Sequence, residues 1–370
     1  MPRFSRRSFL HLTAAASAAT AFRIMSEPML AAAARRRGPH ASDAVLIDSN
    51  ENPLGPCQAA RDAMAAILPH GGRYADELTD ELVATVAQTE GLNPEYVHAT
   101  VGSTPPLALS VLAFTSPEKC YVTADPGYET GMRTAENAGA RVVKVPLTKT
   151  YAHDVKAMLA AGQDTGLFYI CNPNNPTGTL TPRADIEYLV ANKPKDSIVV
   201  VDEAYIHLSE AANALDLVKA GKDVMVLRTF SKVYGMAGIR CGFLIARPDL
   251  ANKVFERGLR NFMPVTAVVA AIASLKQPNL VPERRRINAG IRQHTFDWLA
   301  RNGYSFIPSE SNCFMVDTKK PGQQVREAMA KENVLVGRVW PIMPTYVRIT
   351  VGTEEEMAKF QTAFQKVMSA

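Results

Sequence analysis

Residues 198–246 read IVVVDEAYIHLSEAANALDLVKAGKDVMVLRTFSKVYGMAGIRCGFLIA. Three short apolar runs lie in this stretch, at residues 198–201, 224–227 and 242–246. Runs of this length, rich in Val, Ile and Leu and bounded by polar or Gly-containing segments, predict strands buried on both faces. The first hands over directly to Asp202, the second to Arg228-Thr229-Phe230-Ser231-Lys232. A carboxylate emerging from a β-branched run is costly to bury unless a cation faces it. Most lysines are solvated surface charges, so Lys232 alone says little, and its meaning depends on what other strand ends supply.

Outward from this stretch the pattern repeats. Further strands are predicted at residues 97–101, 119–123, 141–145 and 167–171, and amphipathic helical segments at 106–114, 130–138 and 183–191 separate most of them. Strand, helix, strand in alternation predicts an α/β fold: a mainly parallel sheet with helices on both faces. Helices are also expected at 58–68 and 77–90. After Pro264 the texture changes to a long helical segment at 283–302, short runs at 305–307 and 313–316, a helix at 323–332 and a strand at 346–351. Thr353 with Glu356 three positions on is a capping-box pattern that starts a last helix. The expected organisation is an N-terminal arm and large domain over residues 43–265 and a smaller α+β domain over 266–370.

At 370 residues, 47% hydrophobic and 21% charged, the composition is that of a globular protein. Of the net charge of +5, Arg3, Arg6, Arg7 and Arg23 against Glu27 supply three, so nothing argues for nucleic acid. The five scattered cysteines contain no CxxC pair and suggest neither a metal site nor a disulfide framework. Residues 1–34 look like a leader outside the fold. Ser5-Arg6-Arg7-Ser8-Phe9-Leu10 precedes a small-residue apolar run and the cleavage-like Ala31–Ala34, the pattern of a twin-arginine export signal. That run is interrupted by Arg23 and too short to span a bilayer, so no permanent membrane anchor is expected. A protein exported by this machinery crosses folded, which predicts a periplasmic or otherwise extracytoplasmic location.

Ligands of an open parallel sheet gather at the carboxyl ends of its strands. After 97–101 comes Gly102-Ser103-Thr104-Pro105, a turn entering a helix, where free N–H groups attract an anion. Tyr128, in Asp125-Pro126-Gly127-Tyr128, would stack on a planar ring or simply pack beside its turn. NPNNPTG at 172–178 forms a rigid turn presenting Asn175 as a hydrogen-bond donor. Asp202 and Tyr205 sit in DEAY, and Thr229, Ser231, Lys232 and Arg240 follow the next strand. Two hydroxyls and a guanidinium suit a phosphate, and Asp202 suits a protonated ring nitrogen.

The set NPNNPTG, DEAY, Ser231-Lys232 with Arg240 eight residues on, and RITVGT at 348–353 resembles the fold-type I pyridoxal-phosphate aminotransferases. SNENPLG at 49–55 and Arg73-Tyr74 make it most similar to their histidinol-phosphate aminotransferase-like branch. The resemblance implies pyridoxal 5'-phosphate as cofactor, held covalently by Lys232, which then acts as the acid and base of the proton shift. Asp202 would pair with the ring nitrogen, Asn175 and Tyr205 with the ring hydroxyl, and Tyr128 would stack on the ring. Ser103, Thr104, Thr229, Ser231 and Arg240 would hold the phosphate, joined by Tyr74 from the other subunit of a homodimer. Arg348 would take the α-carboxylate of an amino donor, with a 2-oxo acid as acceptor.

Two departures from the family's pattern bear on the substrate. Thr104-Pro105-Pro106 stands where acidic residues are common. Gly337 stands where the histidinol-phosphate enzymes carry the Arg for the substrate phosphate, and either Arg338 substitutes with an offset or the substrate has no phosphate. Trp340 and Tyr346 near this loop would accept an aromatic or aliphatic side chain, or belong to the core. Export argues for a free amino acid or amine as substrate. The same motifs also serve decarboxylases and oxygen-dependent oxidases, and an exported cofactor-binding protein is the non-enzymatic alternative.

Overall fold

The computed structural model describes residues 44–256 and 263–369. The leader expected at residues 1–34 lies outside the described residues. Strand β1 is Val45–Ile47. A seven-stranded sheet then uses β2 (Val97–Thr100), β3 (Cys120–Asp125), β4 (Val142–Pro146), β5 (Thr165–Cys171), β6 (Ile198–Asp202), β7 (Val224–Thr229) and β8 (Gly242–Ile245) in the order β2-β8-β7-β6-β5-β3-β4. The block β7-β6-β5-β3-β4 is parallel throughout, and β8 runs antiparallel to both its neighbours. All seven strands of the sequence reading are present, with ends displaced by one or two residues.

Every residue of β5, β6 and β7 is buried, because helices cover both faces of the sheet. Each fully buried Val or Leu there contributes ~1.5–3 kcal/mol of transfer free energy. The apolar helix Val265–Leu275 packs on helices Gln58–Ile67 and Asp76–Glu90 and joins this core. Being apolar on all sides, it shows no amphipathic period in the sequence.

The remaining strands are β9 (Ser305–Ile307), β10 (Cys313–Asp317), β11 (Val334–Val336) and β12 (Tyr346–Thr350). They form an antiparallel sheet β12-β10-β9 and a parallel pair β1-β11. Thr353 and Glu356 exchange the capping-box bonds, the Thr353 N–H donating to Oε2 at 2.7 Å and the Glu356 N–H to Oγ1 at 3.2 Å. The two cores are not divided at residues 265 and 266. Val45 and Ile47 pack with Phe314, Val347 and Phe360 of the C-terminal part, whereas Ala267, Val268 and Leu280 pack with the large sheet. The arm strand pairs with β11, some 290 residues away in the chain, and buries Val45 and Ile47, and sequence adjacency hides that.

All five cysteines are free, four of them buried and Cys57 half-buried. Among the described residues no helix is long and apolar enough to cross a membrane.

Candidate active site

The register of the sheet decides where the site forms. Thr100, Gly242 and Thr229 lie side by side on β2, β8 and β7, and Cys171 pairs with Asp202 across β5 and β6. The turns after β2, β5, β6 and β7 and the turn leading into β8 therefore open on one edge, where a cavity of about 480 Å³ is bounded by every predicted site residue except Tyr74. Tyr74 is 84% exposed and borders a separate depression with Arg73 and Met263, so within one chain it is not part of this site.

At one end of the cavity lie hydroxyls and a guanidinium. Ser103 and Thr104 stand at the N-terminus of helix Thr104–Phe114, where the first N–H groups have no helical acceptor. The Ser231 backbone N–H and the Thr229 and Ser231 hydroxyls form a turn, with Thr229 Oγ1 2.8 Å from Ser231 Oγ. Arg240, with φ of 69°, donates to Ser231 Oγ at 3.3 Å and to the carbonyls of Ala237 and Val101 at 2.8 and 3.2 Å. Positive φ in a non-Gly residue is a strained conformation that a packed site imposes. Gly102 has a reason other than phosphate approach: a Cβ there would sit 2.3 Å from Arg240 Nη2. Among the described residues no carboxylate reaches Arg240 within ion-pair distance.

Asp202 closes the floor. It is 3% exposed, accepts from the Tyr169 hydroxyl at 2.8 Å and the Ala204 N–H at 3.0 Å, and burial pushes its carboxyl up to about 6. Lys232, on the loop after β7, donates from Nζ to the Asn50 carbonyl at 2.8 Å and lies 5.4 Å from the Tyr205 ring centre. Burial, aided by the Arg348 cation, lowers its ammonium to about 8. Tyr128 lines the same cavity, with its hydroxyl 3.2 Å from Thr104 Oγ1.

The opposite wall carries the arginines. Arg348, midway along β12, donates to Asn175 Oδ1 at 3.0 Å and to the Asp48 carbonyl, while its Nε is buried with no partner. With Oδ1 so engaged, the Asn175 amide keeps its N–H groups for a ligand. Arg338 donates to Glu129 Oε2 at 2.7 Å, and Glu129 also accepts from Arg133 at 2.8 Å. Trp340 is 1% exposed and serves as a platform, with the Arg338 and Arg348 guanidinium carbons 4.4 and 5.6 Å from its ring. It belongs to the core with Ile307 and Met315.

Asn50 and Glu129 escaped the sequence reading. Asn50 is 1% exposed at φ 53°, donates from Nδ2 to the Tyr205 hydroxyl at 3.1 Å, and offers its carbonyl to Lys232 and Asn312. Its signal was the Asn in SNENPLG, one of the few residue types at ease in the left-handed region. Glu129 had no signal beyond following Tyr128.

These residues fit pyridoxal 5'-phosphate. Among the described residues, a buried carboxylate without an ion-pair partner faces the same space as a lysine of lowered basicity, and the other end offers hydroxyls, helix N–H groups and an arginine without a counter-anion. Residues 42–364 match the model of the family "Aminotransferase class I and II". The histidinol-phosphate aminotransferase 1 of Nitrosococcus oceani is 34% identical over 88% of this chain and 89% of its own length. An aromatic amino acid aminotransferase of Cutibacterium acnes is 32% identical over 86% and 90%. The crystal structure of histidinol-phosphate aminotransferase from Sinorhizobium meliloti in complex with pyridoxal-5'-phosphate superposes with a TM-score of 0.83, at 26% identity over 91% of this chain and 94% of that one.

Proposed function

This chain belongs to the class I and II aminotransferases and is a pyridoxal-phosphate-dependent enzyme, and from that premise we propose that it transfers the amino group of an unphosphorylated amino acid or amine to a 2-oxo acid outside the cytoplasm. One observation carries the substrate reading. Gly337, where the resemblance calls for a phosphate-binding arginine, backs onto Arg348: a Cβ there would lie 2.9 Å from Arg348 Nε. A long side chain at that position would displace the arginine meant for the α-carboxylate. The offset candidate, Arg338, is held by Glu129 at 2.7 Å, a carboxylate it shares with Arg133. A substrate phosphate entering there would meet a carboxylate already bonded to its donor.

When bound, the cofactor supplies an electron sink for negative charge developing at the substrate Cα. The chain's residues do the rest. Arg348, whose guanidinium lines the cavity, takes the α-carboxylate, which fixes how the Cα–H bond points. Asp202 presents a fixed negative charge from the cavity floor. Asn175 and Tyr205 would hold the ring oxygen, and Tyr128 would pack against the ring. Ser103, Thr104, Thr229, Ser231 and Arg240 would hold the phosphate end. Lys232, with its ammonium lowered to about 8, carries a substantial neutral fraction at neutral pH and so both takes and returns the proton at Cα. Tyr74, exposed on its own chain, would reach the phosphate end of a partner's cavity in a homodimer. The twin-arginine pattern at residues 5–10 supports export of a folded, cofactor-loaded enzyme.

The test is a half-reaction screen in which purified holoenzyme is mixed with single donors, histidinol phosphate included, following the cofactor absorbance and the carbonyl product released. Conversion by unphosphorylated donors without any 2-oxo acid or oxygen supports the reading. Rapid conversion by histidinol phosphate alone refutes it.

A further inference from the structure

The two oxygens of Asp202 are held by different elements. Oδ1 accepts the Ala204 N–H from its own chain segment at 3.0 Å, and Oδ2 accepts the hydroxyl of Tyr169, on neighbouring β5, at 2.8 Å. Tyr169 is 1% exposed, and burial keeps its phenol protonated far above the physiological range. To an ionised Asp202 it therefore donates. Among the described residues it is the one side chain that hydrogen-bonds Asp202.

The other ionisable groups around Asp202 do not do this work. Cys171 and Tyr121 are kept neutral by burial. Glu203 is spoken for by Arg228, 2.8 Å away. Lys232 is the nearby cation, but its ammonium is tied to the Asn50 carbonyl. A hydrogen bond to the charged form of a buried carboxylate favours that form, and a second one fixes the plane in which its remaining lone pairs lie.

We propose that Tyr169 is a positioning residue of this aminotransferase: its hydroxyl holds the Asp202 carboxylate ionised and in one orientation, so that the floor of the cavity presents a fixed anion to the ring nitrogen of the cofactor. The inference rests on the role given to Asp202 above. It makes the acid side of cofactor binding a property of β5 as well as of β6. Tyr121 supplies an internal control. Its ring stacks on Tyr169 at 6.2 Å between centroids, yet among the described residues its hydroxyl makes no hydrogen bond to Asp202.

Cofactor-free full-length Tyr169→Phe, Tyr121→Phe and wild-type protein are titrated with pyridoxal 5'-phosphate from pH 5 to 8 by fluorescence. Affinity falls on the acid side as Asp202 takes up a proton, and the titration of the cofactor's own phosphate is common to all three. Tyr169→Phe is expected to move this acid limb up by about one pH unit, with roughly fivefold weaker binding at pH 6 and nearly tenfold at pH 5, while Tyr121→Phe overlays wild type. If the phenylalanine variant does not fold, 3-fluorotyrosine placed at 169 alone, a stronger donor, moves the limb down. An acid limb that stays in place in whichever of these variants folds overturns the inference. Asp202→Asn separates the two failures. If it binds as wild type does, the role of Asp202 itself is refuted. If it binds weakly and lacks the limb while Tyr169→Phe matches wild type, only the role of Tyr169 falls.

Discussion

Replacing Asp202 by Asn makes the cofactor-free protein more stable and the cofactor-bound one less so, with a pH dependence that the structure fixes. Burial raises this carboxyl from its ordinary 3.8 to about 6, and among the described residues no cation lies within ion-pair distance to offset the charge. For an acid whose pKa is raised on folding, the folded state is penalised once the group ionises. Stability is fully present below pH 3.8 and is lost as pH rises through about 6. The full penalty is about 3 kcal/mol, reached at pH 8; about half remains at pH 5 and almost none at pH 3. Because the side chain is 3% exposed, no solvent screening reduces this figure. Asn keeps the shape and an acceptor for the Ala204 N–H, and the Tyr169 hydroxyl must turn to accept from its amide, so the variant removes the charge and reverses one hydrogen bond; the change between pH 3 and pH 8 isolates the charge. The assay is urea unfolding of cofactor-free wild type and Asp202→Asn at pH 3, 5 and 8, repeated with cofactor. The variant should gain up to about 3 kcal/mol at pH 8 and nothing at pH 3, and added cofactor should stabilise wild type more than the variant. A variant that is no more stable than wild type at pH 8, or a difference that does not change with pH, refutes the argument that Asp202 is a desolvated charge awaiting a cation.

Lys232→Ala should bind cofactor without covalent attachment and lose the half-reaction by roughly 10²–10⁴-fold or more, read by denaturing mass spectrometry and stopped-flow absorbance. Arg348→Gln removes the cation that, after burial, depresses Lys232, so the pH at which covalent attachment to the cofactor-free protein accelerates should rise above about 8, alongside a raised KM for the amino donor. Glu129→Gln frees Arg338 and should lower the KM for histidinol phosphate by about tenfold, the factor for one charged contact, with little change for donors lacking a phosphate; an unchanged ratio of the two KM values counts against the guard role of Glu129. Thr353→Ala should cost about 1 kcal/mol by thermal or urea unfolding, because it breaks the capping bond to the Glu356 N–H.

The sheet was legible because its central strands are continuous apolar runs and its helices amphipathic, so local pattern and tertiary position agree. The cofactor end of the site was legible for a related reason. Ser103, Asp202, Thr229 and Lys232 each follow a buried strand within a few residues, and parallel packing brings all such ends to one edge. The sequence by itself therefore determined the fold class, the family and which side chains gather at one cavity. The substrate wall was not encoded locally. The pairing of Val45–Ile47 with Val334–Val336 brings Asn50 to Lys232 and sets Asp48 against Arg348, and no periodic signal reports such a pairing. The Glu129–Arg338 ion pair, the reason for Gly337 and the Tyr169–Asp202 bond likewise join residues of different elements, 11 to 209 positions apart. Only the tertiary structure decided these, because a contact between distant segments depends on register and packing direction, whereas sequence patterns report only what a residue's own helix or strand must bury.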